Sequence, residues 1–196
     1  MLKVLVPALA VVAAALPAAA QQGKAPPKQQ PAGEILLVNP PAGWKPEVLQ
    51  RNEKGSVTRL LPPGQTDKDW TEMITVQIQT GKDGTPRGYI DGVVNFSRAN
   101  CEASGTGAVN ETMVNGYPYA VTSVVCTKGK ASGKGSVVVI HAVRGAEALY
   151  VVQRQWRGPA FDKSQPPPMP KEVAEQWRAF SVGLCDTRDP KHPCPE

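Results

Sequence analysis

Histidine is nearly missing from this chain: His141 and His192 are the only two in 196 residues. The four cysteines form no C-x-x-C pair, so the usual zinc spacings have no ligand set here and no metal is expected. No serine has the flanking glycines of a G-x-S-x-G elbow; Ser104 and Ser132 both lack the glycine two residues earlier. The basic run KGKASGKGS, residues 128–136, fails as a phosphate loop. Lys128 stands where the first glycine belongs, Gly135 follows Lys134, and the run lies between two strand-like segments. No repeat of solenoid length is present. An uninterrupted apolar run of about 20 residues, the length a membrane helix needs, is lacking too.

What is there begins with Lys3 and an apolar segment over residues 4–19, broken by Pro7 and Pro17 and ending in Ala18-Ala19-Ala20. That order reads as a secretory signal peptide over residues 1–20, cleaved after Ala20, with no transmembrane anchor remaining. No cysteine follows it to carry a lipid. Residues 21–33, QQGKAPPKQQPAG, have no aliphatic side chain larger than alanine other than proline, so a flexible leader is expected. Residues 34–196 suffice for a single domain with a real core. Four cysteines in an exported chain read as two disulfides, with three pairings open. We favour Cys185–Cys194, closing a C-terminal tail rich in proline and charge, together with Cys101–Cys126. In the chain-entropy account these loops contribute on the order of 2.5 and 3.5 kcal/mol.

Alternation and turn chemistry place the elements. Residues 34–38 are a short apolar strand, and residues 44–52 and 56–61 form a hairpin around Glu53-Lys54-Gly55. Thr66 or Asp67 is expected to cap one helical turn through Trp70. In residues 71–80, Ile74, Val76 and Ile78 alternate with Thr75, Gln77 and Gln79, a half-buried strand. Thr85-Pro86 opens an amphipathic helix to about Asn100, with Phe96 at its margin. Gly88 and Gly92 weaken that helix, and their spacing suits close packing on a sheet. Asn115-Gly116 joins two strands, and residues 136–144 and 148–157 complete an antiparallel meander. Val173, Trp177, Phe180 and Leu184 recur at helical spacing and predict a terminal helix. The fold class is α+β, one antiparallel β-sheet meander covered by two helices.

Candidate site residues are few. Trp70 beside Glu72 reads either as an aromatic lid over the end of the core, with Glu72 solvated or bonded to backbone, or as a ligand corner. Lys128, Lys130 and Lys134 share one hairpin tip, while Arg154 and Trp156 sit together on the last strand of the meander. A basic patch near an aromatic suits a polyanion, though solvated lysines look the same. The net charge is +5, and removing residues 1–20 takes only Lys3 with it. His141, mid-strand between Val139 and Val143, reads as a buried or edge histidine with no nucleophile to serve.

Four segments carry a resemblance: Gly43-Trp44, LPPGQTDKDWTEMITVQIQ (residues 61–79), NGYPY (115–119) and LYVVQRQWR (149–157). They are similar to those of a family of exported proteobacterial proteins, with W-T-E-M-I-T the clearest element. The element order also resembles the PsbP-like sandwich, a likeness of fold that transfers no activity. Two classes of function remain, and the first is a non-catalytic periplasmic or secreted binding or accessory protein of the cell envelope. The alternative is a periplasmic hydrolase with an unrecognised site. No cofactor is expected, and the expected partner is an envelope component or periplasmic protein, not nucleic acid.

Overall fold

The alternating segments pair almost end to end in the computed structural model, which describes residues 33–81 and 83–195. In chain order the elements are β1 (Glu34–Val38), β2 (Lys45–Asn52), β3 (Gly55–Leu61), β4 (Glu72–Thr80), α1 (Pro86–Asn100) and β5 (Ser104–Thr106). They continue with β6 (Asn110–Val114), β7 (Tyr117–Cys126), β8 (Gly135–Arg144), β9 (Ala148–Gly158), α2 (Lys171–Arg178) and β10 (Val182–Asp186). An eight-stranded sheet runs β2-β3-β4-β9-β8-β7-β5, with β6 also on β7. Every pairing in it is antiparallel. The signal-peptide segment lies outside the described residues, as does the leader except for Gly33.

Local chemistry fixes the joints. Gly55 closes the β2–β3 turn at φ +135°, and a Cβ there would lie 1.7 Å from the Ile78 carbonyl oxygen, so only glycine fits. Asn115 and Gly116 both take positive φ, the geometry of a two-residue hairpin turn. At the start of α1, Thr85 Oγ1 accepts a hydrogen bond from the Gly88 amide at 3.0 Å, and Pro86 occupies the first turn.

Strand alternation gives the large sheet two buried faces. On one, Ile90 and Val94 of α1 pack on Ala120, Val124, Ile140, Ala142, Leu149 and Val151. The other is covered chiefly by a two-stranded ribbon, β1 antiparallel to β10. Its Leu36, Val182 and Leu184 meet Tyr117, Val143 and Tyr150, while Val38, Trp44 and Phe180 meet Leu60, Ile74 and Val152.

Several expectations need correction. There are two sheets, because β1 leaves the meander to pair with β10. The terminal helix stops at Arg178 and has no fully buried residue. Phe180, Val182 and Leu184 obey a period of two as well as the helical spacing, and pairing with β1 satisfies the strand alternative. Residues 66–70 form no helical turn: the Gln65 side chain holds both the backbone and the hydroxyl of Thr71, and Thr66 Oγ1 accepts from the Asp69 amide. Gly88 and Gly92 do not pack on the sheet. A Cβ on Gly92 would meet nothing within 4 Å, and one on Gly88 would meet only Thr85 Oγ1. Gly33, the last leader residue, is buried and exchanges hydrogen bonds with Thr187.

Candidate functional site

The pairing of β4 with β9 sets Glu72 opposite Trp156 and Ile74 opposite Arg154, so Glu72, Arg154 and Trp156 share the ribbon-covered face. Arg154 is 2% exposed. Its Nη2 lies 3.5 Å from Glu72 Oε1, and its Nη1 donates to the Gln176 carbonyl at 3.1 Å. The guanidinium stands 5.4 Å from the Trp177 ring centroid and 5.2 Å from that of Phe180. Trp177 Nε1 donates to the same Glu72 oxygen at 3.0 Å. Burial lowers the Arg154 pKa from its ordinary value, opposed by Glu72. Arg154 therefore ties β4, β9 and α2 together. Trp156 is buried, its ring folded over Gly158, where a Cβ would come within 2.2 Å of it.

Trp70 turns elsewhere. It is half-buried, belongs to none of the core clusters, and lies beneath the Arg157 guanidinium at 4.2 Å. Arg157 also donates to the carbonyls of Trp70 and Lys68, clamping this loop against β9. The lysines are largely occupied by the fold itself. Lys128 pairs with Glu102 at 2.7 Å, and Lys130 Nζ donates to the Ala99 carbonyl in the last turn of α1. Lys134 is exposed, its amide on Ser132 Oγ.

On the opposite face, α1 leaves a cleft of about 350 Å³ between its C-terminal half and β8–β9. Val93, Val124, Val138 and the Cys101–Cys126 disulfide form an apolar wall, and Gln153 and Gln155 supply the floor. Ser97, Asn100, Ser132 and Ser136 add hydroxyl and amide groups, and the 128–135 hairpin closes one end. Phe96, 69% exposed, stands at the edge, and the cleft continues past it along Tyr89 and Gly92. The floor amides are held in place: Gln155 Nε2 donates to Thr75 Oγ1 at 3.1 Å, and Gln153 Nε2 donates to the Tyr89 hydroxyl at 2.7 Å. Tyr89 donates in turn to Gln77 Oε1 at 3.0 Å. Sequence reasoning missed Gln153 and Gln155. Their signal was there: polar amides at alternate positions continue the Leu149–Val151 face of an otherwise apolar strand.

His141 lies across the sheet from this cleft. Its Nδ1 is 2.6 Å from the Tyr119 hydroxyl and its ring meets Phe180 edge-on at 5.7 Å. Burial lowers its pKa to about 4, so the imidazole is neutral at physiological pH. Among the described residues no group of histidine, cysteine and carboxylate side chains could hold a metal.

Fold and site define an α+β domain, mostly antiparallel sheet, stapled by Cys101–Cys126 and Cys185–Cys194 with a neutral cleft beside its longer helix. The disulfides suggest an oxidising extracellular or periplasmic environment. No helix among the described residues is long and apolar enough to cross a membrane. No family model matches the chain, and no curated protein sequence matches it.

Proposed function

We infer that this is a non-catalytic binding or accessory protein of the cell envelope, exported to the periplasm or beyond, and that its ligand or a partner's side group occupies the α1 cleft. The observation carrying this reading is the cleft's composition. It has the size of a small-molecule site, an apolar wall and a few fixed polar groups, and among the described residues no acidic or basic side chain lines it. A general acid or base has no candidate there, whereas a binding site needs none. Export agrees with the disulfides and the N-terminal reading. The PsbP-like sandwich and the exported proteobacterial family belong to the same proposal, supported by an antiparallel sheet covered on both faces.

Ala131→Trp tests it. Ala131 is exposed at the rim, so a large ring there should block entry without disturbing the core. Native mass spectrometry of wild type purified from periplasm should show a bound species that Ala131→Trp lacks at equal thermal stability. Identical spectra from the two proteins would defeat the reading.

A further inference from the structure

We propose that the α1 cleft takes an uncharged, hydroxyl-bearing ligand, a neutral glycan chain, stacked on Phe96 and hydrogen-bonded along Gln153 and Gln155. The inference rests on the binding reading above and names the chemistry that reading leaves open.

The neutrality of the lining is informative in this chain, which carries 22 basic and 17 acidic residues, because none of the described ones lines the cleft. A charged ligand entering it would lose water and meet no opposite charge. The hairpin lysines do not line the cleft: Lys128 is paired with Glu102, Lys130 caps the end of α1, and Lys134 is exposed outside the lining. A wholly apolar ligand fails for the converse reason. It would strip water from the amides of Gln153 and Gln155 and return no hydrogen bond.

A glycan satisfies both constraints. Sugar rings present hydroxyls at their edges, able to donate and accept, and patches of C–H on their faces. Gln153 and Gln155 each spend one amide hydrogen on Tyr89 and Thr75, which fixes the amide planes. Their carbonyl oxygens have no protein partner among the described residues and remain for hydroxyls to address. The bonds to Tyr89 and Thr75 are made before any ligand arrives, so little order remains to be imposed on binding. Phe96 supplies the flat apolar surface for a ring face, and its exposure has no role in the core to explain it. Past Phe96 the cleft runs along α1 where Gly92 offers no side chain, leaving room for a chain longer than one ring.

The test is calorimetric titration of the disulfide-intact protein with cellohexaose, maltohexaose and chitohexaose. Oligogalacturonate serves as an anionic comparator and N-phenyl-1-naphthylamine as a neutral apolar one. At least one neutral hexasaccharide should bind with an affinity unchanged between roughly 0.05 and 0.5 M salt, since no charge is engaged. Phe96→Ala, at an exposed position, should weaken it roughly tenfold while the melting curve stays in place. Gln155→Leu should weaken it similarly, with only a small drop in melting temperature from the lost bond to Thr75. Binding of no neutral oligosaccharide, or binding insensitive to both substitutions, would overturn the proposal. If the naphthylamine alone bound, and Phe96→Ala released it, the cleft reading would stand and the glycan would fall. If nothing bound, the glycan would fall, and the cleft reading would be decided by the Ala131→Trp comparison. A preference for oligogalacturonate that vanished at high salt would point instead to the lysines.

Discussion

Arg154 is buried with one carboxylate beside it, and its Nε has no hydrogen-bond partner among the described residues. Such a group is held by its whole surround, Glu72, the Gln176 carbonyl and two aromatic rings, more than by any single ion pair. Removing Glu72 takes away the carboxylate beside this buried cation, a change that costs about 3–5 kcal/mol in comparable settings. Glu72→Ala is therefore expected to lower the urea midpoint sharply. Arg154→Met added to Glu72→Leu should recover most of the loss, because an apolar pair of similar volume needs no desolvation. If the double variant melts no later than Glu72→Ala, the arrangement is wrong.

His141 yields a pH dependence with a definite sign. Its folded-state pKa of about 4 lies below the ordinary value near 6.5, so between those values the unfolded chain binds a proton that the native protein does not. Stability should be level above about pH 6.5 and fall, by on the order of 3 kcal/mol in all, as the pH drops toward 4. His141→Phe should flatten that slope, read from urea midpoints at several pH values. Asp186 acts in the same direction at lower pH: the Arg188 side chain holds its carboxyl below the usual range, so the stability it contributes is lost as the pH falls into stronger acid.

At the scale of elements, α1 shows how two glycines of one helix can differ. Gly92 has open space where a Cβ would go, so Gly92→Ala should stabilise by about 0.5–1 kcal/mol through backbone entropy. Gly88→Ala puts its Cβ 2.9 Å from Thr85 Oγ1, the atom that caps the helix, and should gain much less or lose stability. Thermal melts of the two variants separate them, and equal gains would contradict the geometry. The helix itself was legible to the residue, from Thr85-Pro86 to Asn100, because capping and periodicity are local signals. β10 was not: Phe180, Val182 and Leu184 fit both periods, and only a partner 150 residues away, as in Ile35 opposite Cys185, decides between them. The same holds for the site. That Glu72 would meet Arg154 and Trp156 depends on the β4–β9 register, and the cleft depends on where α1 lies across the sheet. Neither is written in a local stretch of sequence.

At the scale of the whole molecule, the disulfides join residues 25 and 9 apart and act on different parts of the fold. Cys101–Cys126 anchors the end of α1 to β7 and walls the cleft, whereas Cys185–Cys194 secures the tail, where His192 stacks on Tyr117 at 4.2 Å. Replacing the first pair by alanines should cost about 3.5 kcal/mol and the second about 2.5, with denaturant melts giving the order. Intact mass should rise by about four hydrogens on reduction. A larger loss from the tail pair would mean that local strain outweighs loop length.

The pairing of β1 with β10 also has a consequence in time. Glu34 lies opposite Asp186, so the first of the described strands waits for the last of them before it can be buried. The β2–β3–β4 hairpins wait as well, because β4 needs β9. Contacts this distant in sequence make folding slow, and partly folded chains expose unpaired strand edges. β2 meets that hazard: fully exposed along its length, it breaks register with a bulge between Val48 and Gln50. A bulged edge is a poor template for another chain to dock on. Because β2 stays at the edge of the finished sheet, the irregularity at Leu49 guards it both while the rest of the fold assembles and afterwards.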